Sequence, residues 1–163
     1  MRKLSCLLVG VLSLTATLVD AQTGAVQRVT LEARRQTRSS DNYVIAAFSF
    51  EFGINGETGK RITRNDWDIL FGNAPNSDTF DVTMVNDDCS RIVDLGPKEW
   101  SDTFPPPSLP PHPTPRREPA VDAIVGHMYL VHTKDRNSDV YAMFRVEALT
   151  PGQNVTISWK RLR

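Results

Sequence analysis

The sequence predicts an all-β fold: a single antiparallel domain, either a β-sandwich or barrel-like, with a C-terminal three-stranded meander and a long Pro-rich loop. Three observations predict it. Apolar and polar residues alternate with period two through most of the chain, as half-buried strands require. Turns rich in Gly and Pro separate the alternating runs. Beyond the N-terminal apolar run, no stretch repeats apolar residues at i, i+3, i+4 and i+7 over three turns, so little helix is expected, at most a turn near 63–67 or 98–102. The composition is that of a globular chain, with 163 residues, 40% hydrophobic and 23% charged, and 19 Lys+Arg against 19 Asp+Glu. Such a neutral balance lacks the basic surface that nucleic-acid binding needs, so no nucleic-acid partner is expected.

Residues 1–21 read as an export signal. Arg2 and Lys3 form a basic start, and 7–19 is an apolar run interrupted by Ser13, Thr15 and Thr17. Val19 and Ala21 occupy the −3 and −1 positions, which places cleavage between Ala21 and Gln22. The run is shorter than the ~20 residues of a membrane span. Cys6 precedes the apolar run, whereas a lipidated Cys follows it. The mature domain, 22–163, is therefore expected to be secreted or periplasmic with no membrane span. Cys6 leaves with the signal and Cys89 is then the lone thiol, so no intramolecular disulfide can form. Stability must come from core burial, which a chain of this size can supply. Asp87 and Asp88 beside Cys89 disfavour a thiolate, so Cys89 is read as a small hydrophobe.

The elements follow in order. In 29–34 the odd positions are apolar. In 43–52, Val44, Ala46, Phe48, Phe50 and Phe52 share one face of a strand. Three glycines in 53–59 mark a turn. Trp67, Ile69 and Phe71 alternate with Asp66, Asp68 and Leu70, and Phe80, Val82 and Met84 alternate with Thr79, Asp81 and Thr83. A short run, 91–95, stops at Gly96-Pro97. Eight of the eleven prolines fall in 104–120; lacking N–H groups, they keep this stretch out of a sheet interior and make it a surface loop or spacer. Three strands follow at 126–133, 139–148 and 154–160, the last two joined by Thr150-Pro151-Gly152-Gln153, a type II turn sequence. One face of this meander gathers Tyr129, Val131, Val140, Ala142, Phe144, Val146, Val155, Ile157 and Trp159. The other carries Arg145, Glu147, Thr156, Ser158 and Lys160 and is expected to face water.

The series Phe48-Ser49-Phe50-Glu51 before a glycine turn, Asp66-Trp67-Asp68-Ile69-Leu70-Phe71, Asp94-Leu95-Gly96, Gly126-His127-Met128-Tyr129-Leu130-Val131 and Tyr141-Ala142-Met143-Phe144-Arg145-Val146 resembles exported bacterial β-proteins. More distantly it is similar to the HmuY-like secreted haem-binding proteins. The resemblance covers roughly 44–160 and implies an all-β fold and bacterial export. It carries no haem ligand onto this chain, because no His here matches a ligand motif, and the Pro-rich stretch departs from the pattern.

No motif for catalysis is present: no G-x-S-x-G, no phosphate-binding loop, no dinucleotide fingerprint. His112 lies in the Pro-rich stretch, and His127 and His132, five apart on one strand, point to opposite faces, so no zinc site and no cofactor is expected. Asp135, Asn137 and Asp139 have the alternating oxygen spacing of a calcium loop, but Val140 and Val146 stand where such a loop has its Gly and its closing acid, so a solvated hairpin is the expected reading. Asp66/Asp68 and Asp87/Asp88 are the closest acid pairs to the two carboxyls a glycosidase uses; Asp66 and Asp68 share a strand face and are expected to face water beside Trp67. Asn154-Val155-Thr156 is a sequon that opens a strand and, with a bacterial source expected, is read as chance. The expected function is a non-enzymatic binding or structural module for an unidentified extracellular or cell-surface ligand. The alternatives are a haem or small-ligand carrier and a carbohydrate-active hydrolase.

Overall fold

The computed structural model describes residues 25–34, 45–55, 67–73, 77–82, 90–102, 120–134 and 139–162. Their strands are β1 (Gln27–Glu32), β2 (Ala47–Ser49), β3 (Ile54–Asn55), β4 (Ile69–Phe71), β5 (Thr79–Asp81), β6 (Arg91–Pro97), β7 (Val121–Asp122), β8 (His127–Lys134), β9 (Asp139–Thr150) and β10 (Asn154–Arg161). They form two antiparallel five-stranded sheets: sheet A in the order β1-β10-β9-β8-β6, and sheet B in the order β3-β2-β4-β5-β7. Among the described residues neither sheet closes on itself, so of the two expected forms the domain takes the sandwich and not the closed barrel. No helix among the described residues is long and apolar enough to cross a membrane.

The meander forms because its alternation and its turns agree. All nine residues of its expected inner face are buried. In the β9–β10 turn Gln153 N donates to Thr150 O at 2.9 Å, and Gly152 takes φ 75 at the third position, where a type II turn needs a positive φ. The carboxylate of Asp78, just before β5, accepts from Gly152 N at 3.0 Å and so fastens this turn to the other sheet. Alternation slips once. Ile157 pairs with Val146 but Thr156 pairs with Ala148, leaving Glu147 as a bulge residue. Long-range pairing completes sheet A: Leu31 and Val29 of β1 lie opposite Val155 and Ile157, and Ile92 of β6 lies opposite Val131.

The inner faces interlock through rings. Phe48 of β2 meets Trp159 of β10 at 5.0 Å between centroids, and Phe80 of β5 meets Phe144 of β9 at 4.8 Å. Tyr129 stacks on Phe144 at 4.9 Å. Edge-on and offset contacts of this kind add to the area each ring removes from water. The Tyr129 hydroxyl is satisfied within the core rim: it donates to Asp122 O at 2.7 Å and accepts from Ile124 N at 3.0 Å. Burial, against the bond from Ile124, pushes its pKa up to about 12, with Asp94 and Asp122 adding to the rise.

Four expectations need correction. Among the described residues of the strand expected over 43–52, only Ala47–Ser49 are strand, because the chain turns at 50–53, where Gly53 N donates to Ser49 O at 2.9 Å; Tyr43 and Val44 lie outside the described residues. Phe52 therefore sits outside, 46% exposed, and Ala46 packs with Ala47, Trp67 and Leu70 rather than in the main core. Trp67 does not share a face with Ile69 and Phe71, since β4 begins only at Ile69 and the bend at Asp68 breaks the parity. Strand β6 does not stop before Gly96-Pro97 but runs through them; a bulge between Asp94 and Pro97, on a sheet edge, accommodates the proline. The outer face of sheet A is not uniformly wet: Met128, Leu130 and Met143 are buried on it against Leu95, Trp100 and Leu162.

Candidate functional site

The outer face of sheet A carries a connected set of polar side chains. Strand β9 presents Arg145 and the bulged Glu147, and β10 presents Ser158 and Lys160. The segment after β6 folds over them through a turn at 99–102, in which Asp102 N donates to Glu99 O at 3.0 Å, the turn expected near 98–102. Arg145 holds this segment: Nε donates to Lys98 O at 2.8 Å and Nη2 to Glu99 Oε1 at 2.6 Å, while Nη1 donates to Glu147 Oε2 at 2.5 Å. Trp100 Nε1 donates to Ser158 Oγ at 2.7 Å, and Ser158 donates to Glu147 Oε1 at 2.5 Å. Lys160 Nζ stands 5.1 Å from the Trp100 ring centre, a cation over an aromatic face, and partial burial lowers its pKa.

Chemically this is a closed circuit. Ser158 joins the indole of Trp100 to the carboxylate of Glu147, which Arg145 also holds. What the circuit does is fix Trp100 over Met128, Leu130 and Met143, making a half-buried aromatic and charged surface on a rigid sheet. The signal for it was in the sequence. Three large apolar residues alternate onto the face expected to be wet, with a Trp after the Gly-Pro pair.

Few of the residues singled out from the sequence lie among the described ones. Asp139 opens β9, with Oδ1 2.9 Å from His132 Nε2; Asp135 and Asn137, the other weak calcium candidates, lie outside the described residues. So do Ala21 and Gln22, His112, Asp66, Asp87, Asp88, Cys89 and the Pro-rich loop except Ala120. The His132 ring also stacks on Tyr141, with centroids 3.9 Å apart. His127 opens β8, at the strand end expected for it, with Nδ1 2.9 Å from Asp94 Oδ2. Among the described residues no three His, Cys, Asp or Glu side chains gather as a metal site.

Asp68 departs from its expected place. Rather than facing water it is only 2% exposed. The reason is local: preceding β4, it turns inward and caps the turn after β2, accepting from Phe50 N at 2.6 Å. Burial raises its pKa above the ordinary carboxyl value, against the pull of bonds from Thr133, Phe50, Glu51 and Ser49. Comparison with protein-family models, with curated proteins and with solved structures finds no match to this chain.

Proposed function

We propose that this chain is an exported bacterial protein, secreted or periplasmic, that acts as a non-catalytic binding or structural module through its surface. The observation that carries this reading is the filled space between the sheets, where Phe48, Phe50, Phe80, Tyr129, Phe144 and Trp159 are in mutual ring contact. A carrier that encloses haem or another small ligand needs a cavity lined by the inner faces, and rings packed at 4.8–6.0 Å occupy that place. A glycosidase needs two carboxyls open to a cleft, and Asp68 is enclosed and bound to hydroxyls and backbone. The outer face around Trp100 has the mixed aromatic and charged character of recognition surfaces.

The test has two arms. The chain is expressed in a bacterial host and the cell fractions are probed, with the mass of the product measured. The proposal expects it outside the cytoplasm with Gln22 as its first residue; full-length product retained in the cytoplasm would overturn export. Haemin is then titrated into the purified protein. No Soret shift is expected, and a saturable shift at equimolar haemin would replace this reading with the carrier.

A further inference from the structure

We propose that the Asp68 carboxyl is a proton-operated latch between the two sheets, holding them together more firmly in mildly acidic surroundings than at neutral pH. Its position carries the inference. Thr133, on β8 of sheet A, donates from Oγ1 to Asp68 Oδ1 at 2.5 Å. The remaining donors belong to sheet B and its β2–β3 turn: Phe50 N at 2.6 Å, with Ser49 Oγ at 3.3 Å and Glu51 N at 3.4 Å, all to Oδ2. Asp68 N is itself bound to Phe48 O at 2.8 Å. One buried carboxyl thus spans both layers of the sandwich.

Among the described residues no cation is bound to it. Among the described residues its side-chain partners are the Ser49 and Thr133 hydroxyls alone. Glu51 meets it only through its amide and has an exposed side chain. His132, next to Thr133 on β8, stacks on Tyr141 and is bound to Asp139 on the outer face. Asp66 lies outside the described residues. The charged form therefore rests on two close donors and two long ones inside an apolar core, and burial raises its pKa.

The usual buried carboxylate stabilises the fold when ionised and loses that contribution in acid. Here the sign is opposite. A folded-state pKa raised above the unfolded one means that the native chain binds the proton first. Its contribution to stability is fully present below the unfolded value and is lost as pH rises through the folded one. The tie survives protonation, because a Thr hydroxyl can accept as well as donate. Asp68 Oδ1–H then donates to Thr133 Oγ1, while Oδ2 keeps the Phe50 amide.

The test is a ¹³C NMR titration of the aspartate carboxyls of the purified protein from about pH 3 to 8, with Asp68 assigned by through-bond correlation. Its midpoint is expected above the ordinary ~3.9 of an aspartate, because burial disfavours the charged form. A midpoint at or below that value would overturn the latch. Thermal unfolding of the protein and of Asp68→Asn across the same range gives a second readout. As pH is lowered from about 8 through that midpoint, the Tm of the unmodified protein is expected to gain on that of the variant. A constant or shrinking gap would also overturn it. If Asp68→Asn does not fold, Ser49→Ala replaces it: losing a donor should move the Asp68 midpoint further up, and a downward move contradicts the proposal.

Discussion

Phe144→Ala tests the core where it is densest. Phe144 is fully buried at the middle of β9, with Phe80 at 4.8 Å, Tyr129 stacked at 4.9 Å and 13°, and Phe50 stacked at 6.0 Å and 23°. Truncation removes the transfer free energy of the ring and leaves a hole walled by three other rings. Those rings are fixed by both sheets and cannot collapse into it, so the cost falls at the full range for such changes, about 3–5 kcal/mol. Against the ~5–15 kcal/mol that holds a domain folded, that is about a fifth or more of the total. At about 2–4 °C per kcal/mol the melting point should fall by roughly 10 °C. Urea unfolding followed by tryptophan fluorescence measures it, with Phe52→Ala as the control. Phe52 continues the alternating series of Phe48 and Phe50 but lies 46% exposed beyond the turn, so its truncation should cost about 0.5 kcal/mol or less. A loss under about 1 kcal/mol for Phe144→Ala, or equal losses for the two variants, would refute the packing described.

Three further substitutions probe separate joints. Tyr129→Phe keeps the ring but strands Asp122 O and Ile124 N, so about 1–3 kcal/mol should be lost in urea unfolding, with faster amide exchange at Ile124. Gly72→Ala places a side chain at φ 66 with its Cβ 2.8 Å from that of Ala33; a destabilisation of about 2 kcal/mol or more is expected by thermal melting, and a neutral result would contradict this contact. Trp100→Phe removes the bond to Ser158 while keeping an aromatic ring over Met128 and Met143, and should cost about 1 kcal/mol without changing the far-ultraviolet dichroism.

The meander was legible almost residue by residue, because each strand alternates cleanly and the Pro-Gly turn fixes its register. The rest of sheet A was harder. That β1 closes on β10 and β6 on β8 depends on pairings across most of the chain, which no local pattern encodes. In sheet B the strands are two or three residues long, too short for period two to mark their ends; Phe52 and Trp67 were misplaced for that reason. Asp68 was missed because a carboxylate next to a Trp looks solvated until its partners are known, and Thr133 lies 65 positions away. The Trp100 surface left a trace in Met128, Leu130 and Met143, apolar residues on a face that was expected to be wet. Its polar circuit depends on a bulge at Glu147 that alternation cannot show.

The most direct test of a domain closed by aromatic contact between its sheets is a set of NMR proton–proton distances across the interior. Strong cross-peaks are predicted from the Trp159 indole to the Phe48 and Phe50 rings, and from Phe144 to Phe80. Rings that show cross-peaks only within their own sheet would contradict the filled sandwich and reopen the space between the sheets as a ligand cavity.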